Sequence, residues 1–121
     1  MLAAGKGTRF RSDLPKVLHT ACGVPLLHWV LRAVGGTPGV GRILVVVGHG
    51  RDAVAAAVAG GFPGVELVDQ PEQRGTGDAV ARCRATLEGF EGEVLVLPGD
   101  APLVEPAGLA ALVAEHRAAG A

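Results

Sequence analysis

The sequence predicts a right-handed, three-layer α/β domain built on a mostly parallel sheet, and three observations carry that prediction. Strand-length and helix-length apolar patterns alternate along the whole chain. The run RILVVV at 42–47 is continuous and β-branched, as a parallel strand covered on both faces requires. A glycine-bearing segment follows each strand, which gathers the loops on one edge of the sheet.

The elements follow in order. Met1-Leu2-Ala3 reads as the end of a first strand. Pro25 opens a helix with Leu26, Leu27, Val30, Leu31 and Val34 on its apolar face, closed by Gly35-Gly36. After the strand at 42–47, the alanine-rich stretch 51–59 carries Val54 and Val58 one turn apart and reads as a helix. A short strand is predicted at 65–68. Thr76 is placed to cap a helix whose apolar positions are Ala79, Val80, Cys83 and Leu87. A further strand is predicted at 93–97, and a final helix from Pro106 with Leu109, Leu112, Val113 and His116 on one side.

Composition narrows the class. The 121 residues are 49% hydrophobic but only 3% aromatic and have no tyrosine, so the core must be built from Ala, Val and Leu. A net charge of −1 gives no electrostatic case for a nucleic-acid partner. No apolar run is long enough to span a bilayer and no secretory signal is present, so a cytoplasmic protein without membrane or nucleic-acid partners is expected. Cys22 and Cys83 show no CxxC spacing, which indicates neither a disulfide framework nor a zinc site. Cys83, on the apolar face of its helix, reads as a small buried hydrophobe.

The segment 2–16, LAAGKGTRFRSDLPK, is the most informative. Small residues and glycines leave the backbone bare enough to bring N–H groups up to an anion or a flat base. Arg9 adds a fork-shaped cation, and Lys16, behind Pro15, a compact one. Such a loop suits a nucleoside triphosphate, although it is neither a Walker A loop nor a GxGxxG turn. Arginine outnumbers lysine nine to two, and both lysines fall in this segment. Asp100, at a strand end beside Gly99, is either a turn residue or a ligand for a hard divalent cation that shares substrate phosphates. Asp78 belongs in the first turn of a helix, where its charge suits the dipole. Gln70 offers the donor and acceptor that reading a pyrimidine edge requires. His19, His28, His49 and His116 have no paired ligand spacing.

Four ordered stretches carry a resemblance: LAAGKGTR with SDLPKVLHTACGVPLLHWVL, VVVGHG at 45–50, DQPEQRGTGDAV at 69–80 and VLPGDAPL from Val96. They are similar to the sugar-1-phosphate nucleotidyltransferases, above all to the N-terminal uridylyltransferase domain of the bifunctional N-acetylglucosamine-1-phosphate uridylyltransferase/glucosamine-1-phosphate acetyltransferases. The resemblance implies a Rossmann-like fold of the nucleotide-diphospho-sugar transferase type. It implies transfer of a uridylyl group from UTP to a sugar-1-phosphate, N-acetylglucosamine-1-phosphate, giving a UDP-sugar and pyrophosphate for cell-wall (peptidoglycan) precursors. Catalytic roles fall to Arg9 and Lys16 on the phosphates. Nucleotide contacts fall to Leu2, Ala3, Ala4, Gly5, Gly7, Thr8, Arg9, Lys16, Gln70, Gly75, Thr76, Gly99 and Asp100, with Gln70, Gly75 and Thr76 at the uracil. Asp100 is the implied ligand of Mg²⁺.

The chain departs from its nearest relatives at Pro98, where they often carry tyrosine, and at Asp78, where GTGDA replaces GTGHA. Two alternatives remain open: another nucleotidyltransferase, of the molybdenum-cofactor guanylyltransferase or isoprenoid cytidylyltransferase type, or a non-catalytic nucleotide-sensing module. The first strand is shorter than the usual five or six residues, and the chain stops at a helix with no second half. Residues 1–121 are therefore expected to be the N-terminal, nucleotide-binding part of a longer domain, inactive alone. Sugar contacts, a second metal ligand and any homo-oligomerisation would come from a further C-terminal portion.

Overall fold

The computed structural model describes residues 1–4, 14–101 and 103–120. Its larger sheet is parallel. Strand β3 (Leu44–Val47) pairs with β4 (Glu66–Asp69) in the register Val45 to Leu67 and Val46 to Val68. On the other edge of β3 stands Leu2, which bridges Val46 and Pro98, both in parallel. Met1 to Ala3 are stitched to β3 by Val46 N–H to Met1 O at 2.8 Å and Ala3 N–H to Val46 O at 2.9 Å. The spatial order is thus β4, β3, residues 1–3, residues 97–99, and the chain reverses its direction of travel across the sheet at residues 1–3.

β3 forms because its side chains alternate into two apolar layers, which strongly favours β-branched residues. Val45 and Val47 point to helices α1 (Leu26–Gly35) and α2 (Arg51–Ala59), where Leu27, Leu31, Val54 and Val58 are buried with them. Val46 points the other way, onto Ala79 of α3 (Thr76–Ala81) and onto Cys83. Each of the fully buried valines and leucines among them contributes about 1.5–3 kcal/mol of hydrophobic transfer. Helix α4 (Pro106–Ala118) docks Leu109 against Val30, Ala33 and Val34 on the far side of α1. The three layers expected from the alternation are present.

Several local expectations are corrected. No strand forms at 93–97. On that side the ladder holds only Leu2, bonded to Leu97 O and Gly99 N at 2.9 Å each, so Val94 and Val96 have no neighbouring strand and lie exposed. A hairpin the pattern did not predict, β1 (Thr20–Ala21) with β2 (Val24–Pro25), closes through Cys22-Gly23. Both linking residues have positive φ, the geometry that two-residue hairpin turns demand. Pro25 is the N-cap of α1 rather than its first residue. Thr76 does not cap α3. The N-cap is Gly75, and Thr76 lies one step inside with no side-chain cap bond. α3 stops at Ala81, and residues up to Phe90 continue as successive turns that still bury Cys83. On α4, Leu112 and His116 face solvent, while Leu109 is buried against α1.

Candidate functional site

The carboxyl ends of the strands converge as expected. A Cβ on Gly48, just after β3, would stand 2.7 Å from Gln70 O and 3.2 Å from the Ala4 methyl. One on Gly99 would stand 2.9 Å from Leu2 O and 3.1 Å from Val17. Side chains at these positions would wedge the strand ends apart, so the sequence has none there. Gly50 does similar work for the segment carrying Lys16. It has φ +69°, and an added Cβ would overlap Pro15, which is fully buried.

Pro15 in turn is the N-cap of a short 3-10 turn, Lys16–Leu18, whose Val17 and Leu18 are buried. This fixes the root of Lys16 while its ammonium reaches across the edge to Asp100: Nζ lies 2.8 Å from Oδ2, with the two side chains 40% and 28% exposed. An ion pair this open contributes only about 0–1 kcal/mol to stability. Its interest is positional, since a compact cation and a carboxylate meet where the strand order reverses, the usual place of ligands in open α/β sheets.

The second cluster lies beyond β3 and β4. Gln70 extends the ladder through its N–H to Val47 O at 2.7 Å and is 3% exposed. Its Nε2 donates to Asp78 Oδ2 at 2.9 Å and to Gly75 O at 3.2 Å. The Asp78 carboxyl is held below its ordinary range, first by this bond from Gln70, against a desolvation penalty, and then by Arg82 at 3.5 Å. Gln73 donates its side-chain amide to Ala4 O. Sequence reasoning placed no role on Gln73 and placed Asp78 only at the helix dipole. The signal for both was their place, either side of the Gly75 turn, in the segment that contains Gln70.

The remaining predicted residues sort as follows. Gly5, Gly7, Thr8 and Arg9 lie outside the described residues. Leu2 and Ala3 sit at the edge, with their N–H groups engaged in the sheet; Ala4 links the edge to Gln73. Thr76 opens α3 beside Gly75. Lys16, Gly99 and Asp100 form one group, and Gln70, Gly75 and Asp78 another. Cys83 is buried, and burial pushes its thiol above the ordinary value, as befits a small hydrophobe. His28 is structural: its Nε2 lies 2.8 Å from Ala57 O and its ring meets Phe62 edge-on.

Among the described residues no group of three or more His, Cys, Asp or Glu could cage a metal ion. A single carboxylate still fits Mg²⁺, which typically takes one or two carboxylates and completes its shell with water and substrate phosphates. Asp100, partly exposed and facing a cation, meets that description. An apolar cleft of about 510 Å³ lies elsewhere, between β3 and residues 93–97. Neither Lys16, Gln70, Asp78 nor Asp100 lines it, so it is distinct from the polar edge.

A family model described as the MobA-like NTP transferase domain matches residues 1–121. The chain belongs to this family. Relatives include the bifunctional protein GlmU of Gloeobacter violaceus, 54% identical over 117 residues, which span 97% of this chain and 25% of that protein. GlmU of Dinoroseobacter shibae is 52% identical and GlmU of Pelotomaculum thermopropionicum 47%, each over all 121 residues and 26% of the relative. The chain thus spans about a quarter of the length of these curated relatives. Among solved structures, CMP:2-keto-3-deoxy-manno-octonic acid synthetase complexed with CTP superposes with a TM-score of 0.67. The match covers 91% of this chain and 44% of the synthetase at 23% identity, a likeness of fold alone. Among the described residues no helix is long and apolar enough to cross a membrane.

Proposed function

We propose that the chain is the nucleotide-binding part of an enzyme that transfers a uridylyl group from UTP to a sugar-1-phosphate, N-acetylglucosamine-1-phosphate in the first instance. The observation that carries the reading is the Lys16–Asp100 pair at the reversal of the strand order. The GlmU likeness over nearly the whole chain supports the choice among nucleotidyltransferases.

In this reaction a phosphate oxygen of the sugar attacks the α-phosphorus of UTP. The new P–O bond forms as the bond to the β-phosphate oxygen breaks, and pyrophosphate leaves. No protein nucleophile is needed, so the chain's residues act by positioning and by neutralising charge. Lys16 brings its ammonium to the phosphates from a root fixed by Pro15. Gln70, Gly75 and Thr76 would hold the base at the other end, and Arg9 would add a second cation. Asp100 would hold Mg²⁺, which would supply positive charge to offset the charge that develops on the leaving pyrophosphate.

The test is turnover in an enzyme containing this domain at its full length. Pyrophosphate release should require UTP, a sugar-1-phosphate and Mg²⁺ together. Lys16→Ala and Asp100→Asn should each lower kcat by about 10²–10³, the usual loss on removing one preorganised charge-stabilising group. Near-normal turnover in both variants would remove the observation on which the proposal stands.

A further inference from the structure

Gln70 is a buried side chain whose amide nitrogen has two hydrogens and two neighbours to receive them, Asp78 Oδ2 at 2.9 Å and Gly75 O at 3.2 Å. Ionised carboxylates and backbone carbonyls only accept, so chemistry orients the amide: the nitrogen faces these two groups. What remains for any other partner is Oε1, an acceptor. The bond to Asp78 is charge-assisted and therefore the stronger of the two.

We propose that Asp78 is a positioning residue for base selection: by holding Gln70 Nε2 it leaves only the Oε1 acceptor for a nucleotide base, and so favours a pyrimidine with a ring N–H over one with a bare ring nitrogen. Uracil carries a hydrogen on N3, whereas N3 of cytosine is an acceptor. A base that presents N3 of cytosine to Oε1 places two lone pairs face to face, and rotating the amide to relieve this would turn Oε1 onto the Asp78 carboxylate. Discrimination thus arises from a group that itself need not touch the base. The proposal rests on the uridylyl-transfer reading above.

The lowered protonation range of Asp78 keeps the carboxylate ionised, and hence a pure acceptor, at neutral pH. Gln70 stabilises the ionised form most, followed by Arg82, one helical turn on, and by the charge of Arg74.

The test compares UTP and CTP binding by calorimetry, with Mg²⁺, for the chain and for Asp78→Asn. An asparagine can either donate or accept toward Gln70, which frees the amide to rotate. The wild type should prefer UTP, and Asp78→Asn should cut the UTP-to-CTP affinity ratio about tenfold, partly through tighter CTP binding. A merely structural role would weaken both nucleotides alike and leave the ratio unchanged, which overturns the proposal alone. Wild-type protein that binds neither nucleotide overturns the nucleotide-site reading as well. Should the variant fail to fold, side-chain amide NMR of the wild type decides: the Gln70 NH₂ signals should be shifted from free-amide values and slow to exchange, and free-amide behaviour contradicts the proposal.

Discussion

Substituting Gly50 by alanine should strain the root of Lys16 in a way the structure lets us size. Gly50 sits at φ +69°, a region that costs an L-residue about 1–2 kcal/mol. The added methyl would also lie 2.3 Å from Pro15 Cγ and 2.9 Å from its Cδ, far inside contact distance. Pro15 is fully buried and cannot retreat without moving the turn at Lys16–Leu18, so overpacking adds about 1–3 kcal/mol. The sum is about 2–5 kcal/mol, which at roughly 4 °C per kcal/mol lowers Tm by about 8–20 °C in a domain of this size. Gly64 supplies the control: its φ is +86° but nothing lies within 4 Å of an added Cβ, so Gly64→Ala should cost only the conformational share of about 1–2 kcal/mol. Urea unfolding of both variants, followed by circular dichroism, measures the difference. Equal losses at the two positions would refute the claim that Gly50 exists to admit Pro15.

Further outcomes are expected elsewhere. Leu27→Ala, at a side chain with no exposure in the cluster that holds Val17 and Val45, should cost about 2–5 kcal/mol in urea unfolding; a loss below about 1 kcal/mol would contradict the packing described. Asp78 and Glu66 both have carboxyls held below the ordinary value, Asp78 chiefly by Gln70 and Glu66 by Arg42. Their stabilising contribution is complete above the unfolded value near pH 4 and is lost as pH falls through the lower folded values. Asp78→Asn should therefore flatten the acid limb of stability against pH, with up to about one proton fewer taken up on unfolding, and an unchanged limb would show that the Gln70 bond does not persist in solution.

Much of the fold was legible because its signals are local. The run at 42–47 and the periodic face from Leu27 to Val34 state their own periods, and β3 and α1 appear where those periods place them. The stretch 93–97 is as apolar as a strand, yet a strand needs a neighbour, and pairing is a property of the whole sheet. The hairpin at 20–25 escaped because two-residue strands carry no period to read. Gly75 displaced Thr76 as the cap because a glycine at φ +91° turns the chain into α3, leaving the threonine inside the helix.

At the site, the strand-end rule brought Lys16 and Asp100 to one edge although 84 positions separate them, and the structure sets their charged atoms in contact. The contacts of Asp78 and Gln73 could not be read, since each depends on how the segment between β4 and α3 folds back on Gln70 and Ala4. A carboxylate in a first helical turn has a sufficient local explanation in the dipole, and that explanation hid the second one.

The proposed function makes Asp100 and Lys16 the metal and phosphate end of a nucleotide site. Calorimetric titration of UTP into the chain, with and without Mg²⁺, tests it most directly when wild type and Asp100→Asn are compared. Mg²⁺ should strengthen UTP binding to the wild type, and Asp100→Asn should lose most of this gain while still binding UTP weakly without metal. An equal Mg²⁺-dependent gain in both proteins would contradict it and leave Asp100 as a turn residue that merely pairs with Lys16.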